Sequence, residues 1–253
     1  MPKIKRRIFA GAVCEQEVFT VADHKRNLKD AEPRERFKTE EERERHKWLM
    51  SRRHHARIVN ENYGPQSLYS TLTTDNEHEV HTFEEARRVR DNYVRRLKYA
   101  FPDAKINIYM GRGKSTARIH FHMLSDGVPE ETILKKWQAG TIVRVEHLRE
   151  HNYYNGVDHG RDYTGLANYL FDHWTPEQGE GSHRWKQTKN VRQPEREEPS
   201  IIIRNYSENN PPRAPKGYKL VECKGNRFGY LCFKYIKEVE ACPPYRKNKA
   251  LQN

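Results

Sequence analysis

The sequence predicts an α+β fold: a ferredoxin- or RRM-like split β-α-β antiparallel sheet with a basic helical N-terminal extension and a small C-terminal β extension. Three observations predict it. Between residues 68 and 145, segments of period 2 and period 3.6 follow one another as strand, helix, hairpin, helix and strand. Two capping boxes, Thr39 with Glu42 and Thr82 with Glu85, write helix starts on either side of the first of those strands. Residues 118–124 alternate, with Arg118, His120 and His122 on one face and Ile119, Phe121 and Met123 on the other. A strand with one buried face therefore presents two imidazoles side by side on its second face.

Taken in order, residues 1–63 are expected to form a basic arm and helix, 64–195 the compact domain, and 196–253 an extension with short strands and a basic tail. The arm carries Lys3, Lys5, Arg6 and Arg7 and one apolar run from Ile8 to Val13, read as an edge strand in an otherwise mobile segment. After Thr39, the acids Glu40 to Glu42 suit the positive end of a helix dipole, and the helix is expected to reach about Asn62, before Gly64-Pro65. It bears Arg43, Arg45, Lys47, Arg52, Arg53, His54, His55 and Arg57 against few apolar residues. That is the pattern either of a solvated face or of a stripe laid along phosphates.

Residues 68–73, Leu-Tyr-Ser-Thr-Leu-Thr, are rich in β-formers and follow a Gly-Pro turn. The helix opened by Thr82 carries Ala86, Val89, Tyr93 and Leu97 at helical spacing and stops at Phe101-Pro102. Residues 105–110 alternate as a strand, and Gly111-Arg112-Gly113-Lys114 turns it back onto the histidine strand as a hairpin. Pro129-Glu130-Glu131 opens a helix through Trp137 with Gly140 as its stop, and 141–145 is a fourth strand. Residues 151–162 are polar and turn-rich, a helix runs from about Tyr163 to Trp174, 179–199 is a charged connector, and 200–235 holds one or two further strands.

With 35% hydrophobic and 32% charged residues, much of the chain must be solvated helix, loop or arm. A net charge of +12 favours a polyanionic partner. Four cysteines without a C-x-x-C pair are expected to be free thiols in a reducing cytoplasm. No apolar run approaches the length of a membrane span, and 8–13 is too short for a signal peptide, so a soluble cytoplasmic protein is expected. Gly111 to Lys114 is too short for a nucleotide-binding P-loop, so no helicase is expected in this chain.

Two histidines at i and i+2 on a strand form a compact bidentate site for a divalent cation. Thr71-Leu72-Thr73 on the first strand, His120-Phe121-His122 on the third and Ala167-Asn168-Tyr169-Leu170 on the last helix fall in one order. In that order they resemble the HUH endonucleases, and among them the rolling-circle replication initiators (Rep proteins) of phages and plasmids, over roughly residues 45–195. Arg52-Arg53 leading to Asn60-Glu61-Asn62-Tyr63, and Arg184-Trp185 to Asn190 with Pro194, flank the match. The resemblance implies a site-specific single-stranded DNA nickase and strand transferase, with Tyr169 as nucleophile and Mg²⁺ or Mn²⁺ held by His120 and His122. It implies a 5′-phosphotyrosine and a free 3′-hydroxyl as products. Its partners would be single-stranded or hairpin origin DNA and the helicase and polymerase of a bacterial host cell. An aromatic on a helix beside a sheet packs into a core by default, and fourteen tyrosines occur here; the ordered motifs select Tyr169.

The chain departs from the family pattern twice. The strand before the histidine pair, Ile106-Asn107-Ile108-Tyr109-Met110, lacks the carboxylate that relatives use as a third ligand. Glu77, His78, Glu79 and His81 are the nearest candidates by topology, or two histidines and waters suffice. Where relatives often place Lys, three residues after the nucleophile, stands Asp172, followed by His173. Both share a helix face with Tyr169 and are candidates to orient it or to take an acid-base role, or they are surface residues. Phosphate contacts are expected from Arg52, Arg53, Arg112, Lys114, Arg118, Arg184, Lys186 and Lys189. A mobilisation relaxase or single-tyrosine transposase would use the same chemistry, and a non-catalytic RRM-like nucleic-acid-binding protein is the reading from another class.

Overall fold

The computed structural model describes residues 3–20, 39–112, 118–140, 142–173, 185–226 and 229–238. The chain begins with β1 (Lys3–Ala10), β2 (Val13–Thr20) and α1 (Glu40–Asn62). Then come β3 (Leu68–Thr73), α2 (Phe83–Ala100), β4 (Lys105–Arg112), β5 (Ile119–Asp126), α3 (Glu130–Lys136) and β6 (Ile142–His147). A small hairpin, β7 (Tyr153–Tyr154) with β8 (Val157–Asp158), precedes α4 (Thr164–Phe171). The remaining strands are β9 (Trp185–Gln187), β10 (Glu195–Arg196), β11 (Ser200–Ile202), β12 (Tyr218–Gly225) and β13 (Leu231–Lys237). The architecture is α+β with antiparallel sheets. No helix among the described residues is long and apolar enough to cross a membrane.

One sheet has the order β6-β3-β5-β4-β9. Its hairpin β4–β5 is the one the alternation predicts, and Ile119, Phe121 and Met123 are fully buried on one face of β5. They pack with Leu72, Ile106 and Ile108 under α2 and α3. The capping box of α2 is complete: Thr82 Oγ1 accepts from Glu85 N, and the Glu85 side chain accepts from Thr82 N. Ala86, Tyr93 and Leu97 are its buried stripe. Each such side chain withdrawn from water stabilises the fold by roughly 1.5–3 kcal/mol for the larger residues. The second face of this sheet is covered in part by α1 and α4 through Ala56, Val59, Ala167 and Leu170, which meet Tyr109 and Leu124.

A second sheet runs β10-β1-β2-β13-β12, with β11 also pairing with β1. The N-terminal segment expected to be an arm with one edge strand thus supplies a hairpin, and its β2 is an interior strand paired with β13 of the expected C-terminal extension. The reason lies in charge. Glu15 and Glu17 on β2 look like solvent-facing residues, yet they are buried against Arg53 and Arg57 of α1. The first turns of α1 are exposed, as a solvated face would be, whereas residues 55–60 are buried between the sheets. On one side His55 Nε2 lies 2.7 Å from Tyr109 Oη of β4; on the other Arg57 binds β2. Cys14, Cys223 and Cys232 are free thiols.

Candidate active site

The site is built on β5, where register decides what can meet. His122 stands opposite Thr71 on β3 and Tyr109 on β4, and His120 stands opposite Thr73 and Gly111. Because side chains alternate, both imidazoles point to the face that α4 partly covers. α4 places Tyr169, and the turn that closes its C-terminus places His173, over them. The ring of His173 lies 4.4 Å from that of His122 and 4.3 Å from that of Tyr169. Tyr169 itself is half exposed, with its ring 5.7 Å from that of His122.

One ligating nitrogen each of His120, His122 and His173 lies within 4.8 Å of the others. The third member of the cluster is the imidazole of His173, and neither the Glu77 to His81 candidates nor a carboxylate stands there. Glu77, His78, Glu79 and His81 do not belong to this cluster: His78 Nδ1 pairs with Asp75 at 2.8 Å, and Glu79 pairs with Arg118 at 3.5 Å. Gly111 explains how His173 reaches the sheet. A Cβ there would stand 2.7 Å from His173 Cδ2, so only glycine leaves the ring room beside His120.

The surroundings set the hydrogen bonding of these rings. Tyr69 Oη lies 2.7 Å and Thr71 Oγ1 3.3 Å from His122 Nδ1. The tautomer with its proton on Nδ1, donated to Tyr69, would leave Nε2 its lone pair. That Nε2 is buried and has no hydrogen-bond partner. His173 Nδ1 donates to the Tyr169 carbonyl at 2.8 Å, which likewise sets its tautomer. Burial, with the charges of His173 and His120 adding to it, pushes His122 down to about 3. Burial, then His173, also lowers His120. Both shifts favour the neutral imidazole. Burial first, with the Tyr169 phenol contributing, raises Tyr69 and keeps its hydroxyl protonated.

Both ends of α4 are anchored. At its start Asp162 Oδ1 accepts from Thr164 N at 2.9 Å, and Lys234 Nζ of β13 binds Asp162 and Thr164 Oγ1, each at 2.9 Å. Asn60 Oδ1 of α1 accepts from Tyr163 N at 2.8 Å. At its end Arg52 donates two bonds to Asp172, at 3.1 and 2.8 Å. Asp172 thus holds the helix to α1 and lies outside the histidine cluster. The motif Asn60 to Tyr63 is structural in the same way: Asn62 brackets Arg192 through its backbone N and O.

The basic residues expected at phosphates divide. The guanidinium of Arg53 is engaged by Glu15, Tyr230 and Cys232, because β2 brings two carboxylates under α1. Arg52 is held by Asp172, Lys186 by Asp91 at 2.9 Å, and Arg118 by Glu79 and Asn76. Arg112 and Lys189 are exposed, Arg112 lying over the Phe83 ring. Lys114 and Arg184 lie outside the described residues.

Sequence reasoning missed Tyr69, Gly111 and Lys234. Tyr69 was findable, since it shares a face with Thr71 on a strand paired with β5. No family model, no curated protein and no solved structure matches the chain.

Proposed function

We propose that the chain is a metal-dependent tyrosine endonuclease of the HUH type, nicking and rejoining single-stranded DNA through Tyr169 to start rolling-circle replication. The observation that carries the reading is the half-exposed Tyr169 phenol beside three clustered imidazoles, one with an orphaned buried nitrogen. The strand order β6-β3-β5-β4 around α2 and α3 agrees with a ferredoxin-like split β-α-β sheet, which would be the nuclease core.

The residues present fit a divalent ion held by His120, His122 and His173. Three imidazoles without a carboxylate suit Mn²⁺ better than Mg²⁺, which prefers oxygen ligands. Such an ion would withdraw charge from the non-bridging oxygens of the scissile phosphate. The remaining work falls to the chain. Tyr169 Oη attacks phosphorus, a tyrosyl O–P bond forms as the P–O3′ bond breaks, the phenolic proton leaves to solvent from the exposed side of the helix, and the departing O3′ keeps the electron pair and takes a proton from solvent as the free 3′-hydroxyl. Arg52–Asp172 at one end of α4 and Lys234–Asp162 at the other hold the phenol in place, so little ordering remains at the moment of attack. The tyrosyl ester conserves the phosphodiester, so the reverse step rejoins ends.

The test is incubation with single-stranded oligonucleotides tiled across the DNA flanking the gene, with Mn²⁺, resolved on denaturing gels. Wild type should form a protein-linked band that requires metal, and Tyr169→Phe, which keeps the ring, should form none. A metal-dependent adduct that survives Tyr169→Phe would move the nucleophile to another tyrosine. Binding without an adduct under any metal would leave a nucleic-acid binder.

A further inference from the structure

The sheet face beside the histidine cluster is not covered by α4. There β7 and β8 make a two-residue hairpin whose Asn155 and Gly156 have φ of 49° and 77°, as a type I′ turn requires. It holds Tyr153 and Tyr154 out at 71% and 66% exposure, and the His159 ring sits edge-on to Tyr154 at 6.0 Å. The hairpin borders a cleft of about 540 Å³. Its lining includes Tyr69, whose hydroxyl touches His122, and Asn168 of α4, the neighbour of Tyr169 in sequence. Lys224 and Lys234 of its lining come from the second sheet. The cleft is therefore lined from both sheets and shares Tyr69 with the histidine site.

Its chemistry points to a base more than to phosphates. Lys234 is paired with Asp162 at 2.9 Å and Lys224 with Glu222 at 2.8 Å, which leaves Arg149 as the one lysine or arginine of the lining without a carboxylate partner among the described residues, a single cation and not a track. A phosphate track needs cations whose charge is available. Exposed aromatic faces beside the amide groups of Asn152 and Asn168 are what unstacked bases use, through stacking and through hydrogen bonds to their edges.

We infer that this cleft takes an unstacked nucleobase of single-stranded DNA next to the phosphate at Tyr169, with Tyr153 and Tyr154 as stacking platform and the second sheet contributing to the lining. The inference rests on the nickase reading for the position of the base along the strand. It also gives the N- and C-terminal strands a part in recognition, since β13 carries Lys234 and pairs with β2.

Fluorescence anisotropy on the full chain in EDTA tests it, with oligo-dT of about a dozen nucleotides and an abasic strand of equal length as probes. Wild type should bind oligo-dT at least about tenfold more tightly than the abasic strand. Tyr153→Ala/Tyr154→Ala should lose about tenfold for oligo-dT and nothing for the abasic strand. Tyr153→Phe/Tyr154→Phe, which keeps both ring faces, should restore the preference. Both tyrosines are exposed, so folding is not at stake, and circular dichroism checks this. Equal affinity of wild type for the two probes, or an unchanged preference in the alanine variant, overturns the inference. So does tighter binding of oligo-rU with the same tyrosine dependence, which makes RNA the occupant. A metal-dependent adduct without base preference removes the cleft and leaves the nickase; tyrosine-dependent base preference without an adduct does the reverse.

Discussion

Two groups of buried polar side chains flank α1, and they are completed differently. On the second sheet Glu15 accepts from Arg53 and Arg57, and Glu17 accepts from Arg6, Arg57 and Tyr230. No carboxylate oxygen there is buried without a partner. On the first sheet His122 Nε2 is buried and unpartnered among three imidazoles. Leaving a buried polar group unpaired costs about 1–3 kcal/mol. Unpartnered buried atoms also occur on the second sheet, at Arg7 Nε and Gln16 Oε1, so what marks the histidine group as a place for a ligand is three ligating nitrogens within 4.8 Å of one another.

The largest effect that would break this contrast lies in the closed network. Arg57→Met removes a guanidinium shared by Glu15 and Glu17 and leaves carboxylates short of counter-charge, so urea unfolding should show a loss of about 3–5 kcal/mol. A loss below about 1 kcal/mol would mean that water replaces the arginine and that the network is not structural.

Next in size is the separation of the two groups by pH. Burial would raise Glu17, but Arg53 and Arg57 outweigh it and hold the carboxyl at about 2, against 4.5 when unfolded. Its contribution is full above pH 4.5 and is lost as pH falls toward 2, on the order of 3 kcal/mol in all. His122, at about 3 against 6.5 unfolded, is neutral in the fold, so the unfolded chain takes up the proton first. Stability should therefore decline already from pH 6.5 downward. Unfolding midpoints across pH should show Glu17→Gln changing the slope only below 4.5 and His122→Asn changing it above. Identical profiles for the two variants would show that one of these environments is misjudged.

The smallest effects concern the open site. Saturation with Mn²⁺ at 100 times Kd should stabilise wild type by about 2.7 kcal/mol, and His120→Ala should remove that rise. Gly111→Ala should weaken Mn²⁺ binding about tenfold, or ~1.4 kcal/mol, because its Cβ displaces His173. Unchanged affinity in calorimetry would strike His173 from the ligand set.

Most of the first sheet was legible because its strands and helices obey local rules. β3 has the bounds that its β-formers predicted, α2 starts at its capping box, and β5 buries the apolar side of its alternation. The second sheet was not legible, because the charges on β2 hide a buried strand and their partners lie about forty residues on, in α1. The site divided in the same way. Period 2 put His120 and His122 on one face, and helical spacing put Tyr169 with His173.

By itself the sequence determined which side chains share a face, since strand and helix periods are properties of the backbone. Only the tertiary structure decided which faces meet. Gly111 opposite His120 admits His173 as the third imidazole, and Asp172, one residue earlier, turns instead to Arg52. Such choices depend on register between strands and on the docking of α4, which arise from packing across the chain.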